Sequence, residues 1–186
     1  MQRLFVAIPV PDEVAEQLEL IQSGMTNARW QSREQLHLTL RFIGEVEGRD
    51  AALIDDLLAG IDAPGFSLEL HGTGQFGNKH PHALWAGVRS NPALLHLQRK
   101  VESAIQRAGL PGDRQNYTPH VTLARLRGAP VGRVMDYLTD HALFTSPAFD
   151  VGSFNLYSSV LTSDGSVYRV ESEYPLRLVR DLQGDQ

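Results

Sequence analysis

The sequence predicts an α+β fold: two pseudo-symmetric lobes of antiparallel sheet with helices on the outside, and one His-x-Thr strand from each lobe lining a central cleft. Three observations predict it. Leu36-His37-Leu38-Thr39-Leu40 returns as Pro119-His120-Val121-Thr122-Leu123, a duplicated His-apolar-Thr-Leu unit. Strand-like alternation and helix-like spacing take turns along the whole chain. No low-complexity linker divides the 186 residues, whose 42% hydrophobic content can fill one sizeable core, so residues 1–186 read as a single bilobal domain.

Taken in order, the apolar stretch 3–10 reads as a first strand, halted by Pro11-Asp12-Glu13. A helix is predicted over 12–25, with Val14, Leu18 and Ile21 at helical spacing. The first motif strand spans 35–43 and is closed by Gly44. Leu53, Ile54, Leu57 and Leu58 form one stripe on a helix over 50–58. Strands at 66–70 and 83–88 flank a loop over 72–81, whose Gly72, Gly74 and Gly77 suit either a flap over the site or a plain solvated connection. The longest helix is predicted over 92–108, because Asn91 suits the cap, Pro92 the first turn and Gly109 the stop. Its buried stripe is Leu94, Leu97, Val101 and Ile105. The second motif strand covers 117–126, and a helix over 131–141 turns Val134, Tyr137 and Leu138 inward. Segments 149–161 and 166–178 read as antiparallel strands joined by a turn at Ser163-Asp164-Gly165.

Strand geometry gives the duplicated unit its meaning. Side chains alternate faces, so His37 and Thr39 point one way while Leu36, Leu38 and Leu40 point the other, and the same holds for His120 and Thr122 against Val121 and Leu123. Chance does not explain the pair: with the observed flanks required, roughly 0.02 matches per chain are expected from composition. A third triplet, His71-Gly72-Thr73, lies in a glycine-rich turn signal and lacks those flanks. Two symmetric lobes that each present one imidazole and one hydroxyl make one shared site.

Composition narrows the chemistry. Cysteine is absent, which excludes disulfides, zinc-thiolate sites and thiol nucleophiles. His80-Pro81-His82 is an unsupported pair in a loop and reads as solvated, so no metal site is expected. A formal charge of -5 argues against non-specific binding to duplex DNA, which needs an extended basic surface. Arg33 and Arg41 around the first motif, and Arg114, Arg125 and Arg127 around the second, leave room for a local anion pocket. No apolar run reaches the length of a membrane helix, and the N-terminal apolar stretch looks like a strand, not a signal peptide; a cytoplasmic location, no membrane partner and a monomer are expected.

Hydrolysing a phosphodiester needs a base for the attacking water and an acid for the leaving oxygen. Histidine is the side chain whose unperturbed pKa suits both near neutrality, and an anionic phosphate between two rings favours one imidazolium. Thr39 and Thr122 are placed to donate to non-bridging oxygens, and an arginine neutralises charge there. Parity raises a difficulty with Arg125, which is an odd number of residues from His120 and belongs on the other face unless a bulge redirects it. By the same parity Arg41, not Phe42, shares a face with His37. Phe42 and Tyr117 are candidates to stack on a terminal base, while Trp30 and Trp85 read as structural.

These units, with Trp30, Gln35-Leu36, the Phe42-Ile43-Gly44-Glu45 tail of the first motif and Tyr117-Thr118-Pro119-His120 leading the second, resemble the 2H phosphoesterase superfamily. Within it the chain is most similar to the LigT-like RNA 2',3'-cyclic phosphodiesterases, also called 2'-5' RNA ligases. The likeness extends to Arg3-Leu4-Phe5-Val6-Ala7-Ile8, Leu84-Trp85-Ala86-Gly87-Val88 and Leu156-Tyr157-Ser158-Ser159. It implies metal-independent opening of a ribose 2',3'-cyclic phosphate, at an RNA 3' end or on a small cyclic nucleotide, to a 2'-phosphomonoester without a cofactor. It also implies that His120 activates water, that His37 protonates the departing 3' oxygen, and that Thr39, Thr122 and Arg125 hold the phosphate. The reverse reaction, 2'-5' ligation, and a non-catalytic RNA-end binder are the alternatives. The residues alone do not tell acid from base.

Overall fold

A computed structural model gives the architecture of residues 1–178; residues 179–186 of the expected domain lie outside the described residues. In chain order the elements are β1 (Gln2–Pro9), α1 (Asp12–Leu20), β2 (Ala28–Trp30), a single 3-10 turn (Arg33–Gln35), β3 (His37–Val46), α2 (Gly48–Ala59), β4 (Phe66–Leu68), β5 (Leu70–Phe76), β6 (Ala83–Val88), α3 (Pro92–Arg107), β7 (His120–Leu126), α4 (Val131–Asp140), β8 (Phe149–Val151), β9 (Ser153–Thr162) and β10 (Gly165–Pro175). The fold is α+β, with an antiparallel sheet ordered β10-β9-β1-β3-β7-β6-β5; β2 pairs with β7, and β4 pairs with β8 in a separate ribbon.

The sheet consists of two halves that meet at one place. β3 and β7 pair only through Leu38 and Val121, the central residues of the two His-x-Thr units. Antiparallel geometry then sets His37 across from Thr122 and Thr39 across from His120, so each imidazole faces the hydroxyl of the other unit. Behind this seam Leu36, Leu38, Leu40, Val121 and Leu123 are buried in one core with residues from all four helices. The apolar backs of both motifs are therefore held by the main core, and their polar fronts face away from it.

Helix α3 forms as its signals predict. The Asn91 side chain accepts from the Leu94 amide, Pro92 opens the first turn, and Gly109 follows the C-terminus with φ +95. Leu94, Leu97, Val101 and Ile105 are buried along it. Other boundaries differ from the sequence reading. The helix predicted over 12–25 ends at Leu20, because the chain turns through Gly24 at φ +87, yet Ile21 still reaches the core. Gly44, at φ +93, does not close β3, which runs on to Val46. Leu53 is 44% exposed, on the outer face of α2, and only Ile54 and Leu58 of its predicted stripe are buried.

The first half of the predicted loop over 72–81 is strand. Gly72 to Phe76 belong to β5, paired with β6, and only 77–82 connect the two. Gly74 serves packing, not turning: a Cβ there would fall 2.2 Å from the Trp85 indole. A flap spanning 72–81 is thereby replaced by a paired strand and a short connection. Segment 149–161 divides at Gly152, giving β8 to the small ribbon and β9 to the large sheet.

Candidate active site

Both motif strands carry a bulge at the same position. β1 pairs with β3 so that Ala7 faces Thr39 and Val6 faces Arg41, which leaves Leu40 as an extra residue. β6 pairs with β7 so that Trp85 faces Thr122 and Leu84 faces Ala124, which leaves Leu123 as the extra one. An inserted residue reverses the alternation beyond it. Arg125 is thus returned to the face of His120, resolving its parity, and Phe42 is returned to the face of His37. The expectation that Arg41 shares that face is overturned by the same bulge. Arg41 is 7% exposed on the core side, where it donates to both Glu102 carboxylate oxygens (2.6 and 2.8 Å), the Pro111 carbonyl (2.7 Å) and the Phe42 carbonyl (3.1 Å).

The front of the seam is a cleft with a cavity of about 300 Å³ that brings together His37, Thr39, Phe42, His120, Thr122 and Arg125. Of the residues singled out from sequence, Tyr117 is not in the lining. Its hydroxyl donates to the Thr39 carbonyl at 2.8 Å, tying the lead-in of one motif to the strand of the other, and burial raises its pKa. That position makes it a brace, not a free stacking face. Arg33 is also elsewhere, paired with Glu19 at 2.8 Å on the surface. His80 and His82 are exposed, and among the described residues no group of three or more His, Asp or Glu side chains is placed to hold a metal ion.

The two imidazoles are held identically. His37 Nδ1 lies 2.7 Å from the Gln35 carbonyl, and His120 Nδ1 lies 2.7 Å from the Thr118 carbonyl. A carbonyl only accepts, so in both rings Nδ1–H donates and Nε2 is left as the nitrogen that exchanges protons. Their surroundings differ. His37 packs against Phe5 (centroids 4.8 Å apart) and the edge of Tyr168 (5.2 Å). His120 meets Phe76 edge-on at 4.8 Å and Trp85 at 5.9 Å. Burial pushes the His37 pKa down to about 4, against the support of the Gln35 carbonyl, and His120 and Arg125 nearby add to the depression. His120 is lowered as well, by burial first and then by Arg125, while the Thr118 carbonyl opposes. Without an anion in the cleft both rings are neutral at pH 7, poised to accept one proton when negative charge enters.

Sequence reasoning missed part of the lining. Arg3 and Phe5 come from β1, Phe76 from β5, and Ser159, Ser166 and Tyr168 from the β9–β10 hairpin. The hairpin folds across the first motif, where Gln35 Nε2 donates to the Ser166 carbonyl (2.9 Å) and Arg29 donates to the Asp164 carbonyl. No local signal marks Tyr168, whose position depends on the register of two strands far away in sequence. Phe5 likewise takes its place from strand register, between Phe42 on β3 and Tyr157 on β9.

Comparison with known proteins agrees with this architecture. Residues 10–161 match the 2'-5' RNA ligase superfamily. A Thermotoga maritima protein named RNA 2',3'-cyclic phosphodiesterase is 32% identical over 187 residues, covering 96% of this chain and 98% of its own. Escherichia coli LigT in apo form superposes with a TM-score of 0.78 at 28% identity, over 94% of this chain and 97% of its own. The same protein complexed with 3'-AMP gives 0.77 at 28% identity, over 94% of this chain and 98% of its own. With two His-x-Thr strands meeting back to back on one core and front to front on one cleft, the chain belongs to the 2'-5' RNA ligase superfamily.

Proposed function

We propose that this protein hydrolyses RNA 2',3'-cyclic phosphate ends to 2'-phosphomonoesters, without a metal ion, by a general acid and base pair formed by His37 and His120. The observation that carries this reading is the matched bracing of the two rings, each with Nδ1 bound to the carbonyl two residues before it and both in one cleft. The shared relationship to proteins named RNA 2',3'-cyclic phosphodiesterase supports the substrate.

In the proposed reaction His120 Nε2 takes a proton from water as its oxygen attacks phosphorus. The bond from phosphorus to the 3' oxygen breaks, and the imidazolium of His37 supplies the proton that the 3' oxygen needs. Thr39 and Thr122 donate to the non-bridging oxygens, and Arg125 neutralises the charge that grows on them. The assignment of acid and base follows the family resemblance, and it sets a condition: with a pKa of about 4 in the empty cleft, His37 must gain its proton as the phosphate binds. The depressed pKa also favours a second reading in which His37 is the base and His120 the acid.

The test is incubation of EDTA-treated protein with an oligoribonucleotide ending in a 2',3'-cyclic phosphate, with 2'- and 3'-phosphate products resolved. Metal-free formation of the 2'-phosphate, lost in His37→Ala and His120→Ala, is the expected result. Joined 2'-5' products from paired RNA halves indicate ligation. Binding without turnover overturns the hydrolase reading in favour of an RNA-end binder.

A further inference from the structure

Arg125 borders a second groove as well as the cleft. This groove follows the β2–β7 ribbon and is lined by Asn27, Arg29, Leu126 and Arg127. In the ribbon register Arg29 lies directly opposite Arg125. Arg127 is two residues beyond Arg125 and shares its face, while its amide donates to the Asn27 carbonyl (3.1 Å) and the Asn27 side chain donates back to the Arg127 carbonyl (3.2 Å). Three exposed arginines therefore line one strip that begins at the cleft.

Charge pairing within the fold gives no reason for this placement. Like charges directly opposite one another weaken a strand pair. Among the described residues none of the three arginines is within 4.0 Å of a carboxylate, on a chain whose formal charge is -5. Arg29 is aimed by its hydrogen bond to the Asp164 carbonyl, a neutral acceptor that leaves its charge free. Gly165 keeps the space open, since a Cβ there would come 2.8 Å from the Arg29 guanidinium. A row of cations without carboxylate partners among the described residues, continuous with the proposed phosphate site, is suited to a polyanion whose charges are spaced along a strand.

We propose that Arg29 and Arg127 bind backbone phosphates of the nucleotides on the 5' side of the terminal one, so that the substrate is an oligoribonucleotide strand and not a mononucleotide. This rests on the hydrolase reading above and deepens it. Contacts to phosphate set position and carry no base information, so the groove accepts any sequence upstream of the end.

The experiment compares kcat/KM for a nucleoside 2',3'-cyclic phosphate with that for an oligoribonucleotide of about ten nucleotides with the same end, across a salt series. Wild type is set beside Arg29→Gln, Arg127→Gln, the double variant and Arg29→Lys. The expected result is about a tenfold loss for the double variant on the oligonucleotide only, with a salt slope lower by ~1.4. Arg29→Lys keeps most of the preference because it keeps the charge, which separates charge from the tether to the hairpin. Equal losses on both substrates, an unchanged salt slope, or a lysine variant as weak as the glutamine variant overturn the proposal. If wild type turns over neither substrate, the hydrolase reading fails; the same salt titration of binding to a 3'-phosphorylated oligoribonucleotide then decides the groove by itself.

Discussion

The β3 and β7 regions repeat the same device and diverge just after it. Each has His-x-Thr on the front, a buried leucine at the bulge behind, and an imidazole fixed through Nδ1 to the carbonyl two residues earlier. Four residues past the histidine they hold Arg41 and Ala124, and five past it Phe42 and Arg125. The first half thus buries a cation on its core side and shows an aromatic ring to the cleft, while the second buries a methyl group and shows a cation. Duplication accounts for two matched imidazoles in one cleft. The divergence after the bulge sets Arg125 on the His120 strand and Phe42 on the His37 strand, and the hairpin adds Tyr168 over His37, so their surroundings are unequal.

The largest expected effect tests the shared part. His37→Ala and His120→Ala should each lower kcat/KM about 10^2 to 10^4-fold, and the double variant little further if the two act as a unit. A substrate with sulfur in place of the 3' oxygen then breaks the symmetry, since a thiolate departs without a proton. Turnover of this substrate should recover in the variant lacking the acid and stay low in the variant lacking the base. Recovery with His37→Ala supports His120 as base; recovery with His120→Ala reverses the roles.

The stretch of sequence that carried the most chemistry was also the easiest to read. The paired triplets, their faces and the apolar backs follow from period-two alternation, and α3 follows from its cap, its proline and its stripe. Alternation failed where a residue was inserted. Nothing in Leu40 or Leu123 as residue types distinguishes a bulged leucine from a paired one, so alternation alone gives Arg41 and Phe42 each other's faces. Glycine misled in the other direction: Gly74 looked like a turn but is small because Trp85 lies across it. The hairpin side chains over His37 were invisible for a third reason, that their place is set by strand pairing between distant segments and not by neighbours in sequence.

The next effect belongs to the first half alone. Arg41 and Glu102 are 7% and 18% exposed at their side chains, and Glu102 also accepts from the Asp113 amide at 2.9 Å, so the pair anchors the segment that leads to His120. Burial works to raise the Glu102 pKa, but hydrogen bonds from Gln106 and the Asp113 amide, with Arg41, outweigh it and lower it. Glu102→Ala leaves a buried guanidinium with only the Pro111 and Phe42 carbonyls and no counter-charge, and should destabilise the fold by about 3 to 5 kcal/mol in denaturant unfolding. Replacing both residues with leucine should recover much of that loss, making β3 resemble β7, where Ala124 needs no partner. A Glu102→Ala protein as stable as wild type breaks this part of the contrast.

The depressed histidines give the third effect a definite sign. Below an unfolded pKa of 6.5 the unfolded chain binds a proton that folded His37 refuses until about pH 4. Stability therefore falls as pH drops through that window, by on the order of 3 kcal/mol for His37 alone. His37→Gln should flatten the decline between pH 6.5 and 5 in unfolding measurements, a range above the lowered carboxylates Glu19, Glu69 and Glu102. The same depression places the maximum of kcat/KM below pH 6.5, while kcat, which reports the bound state, peaks at higher pH because the phosphate favours an imidazolium. A kcat/KM maximum above pH 7 contradicts the burial of these rings.

The smallest effect contrasts the two residues that the bulges bring forward. In the proposed reaction Arg125 faces the reacting phosphate, so Arg125→Gln should lower kcat about 10^2-fold. Phe42 is 51% exposed in the cleft lining, with the Arg3 guanidinium 5.3 Å from its ring centre. If the ring stacks on the terminal base, its loss removes an interaction that the ground state and the transition state share equally. Phe42→Ala should therefore raise KM up to about tenfold and leave kcat nearly unchanged. Phe42→Trp should retain the wild-type KM, which a purely structural role for the ring does not require. If Phe42→Ala lowers kcat as Arg125→Gln does, the two positions are equivalent in function as well as in register, and the division between a binding strand and a reacting strand is lost.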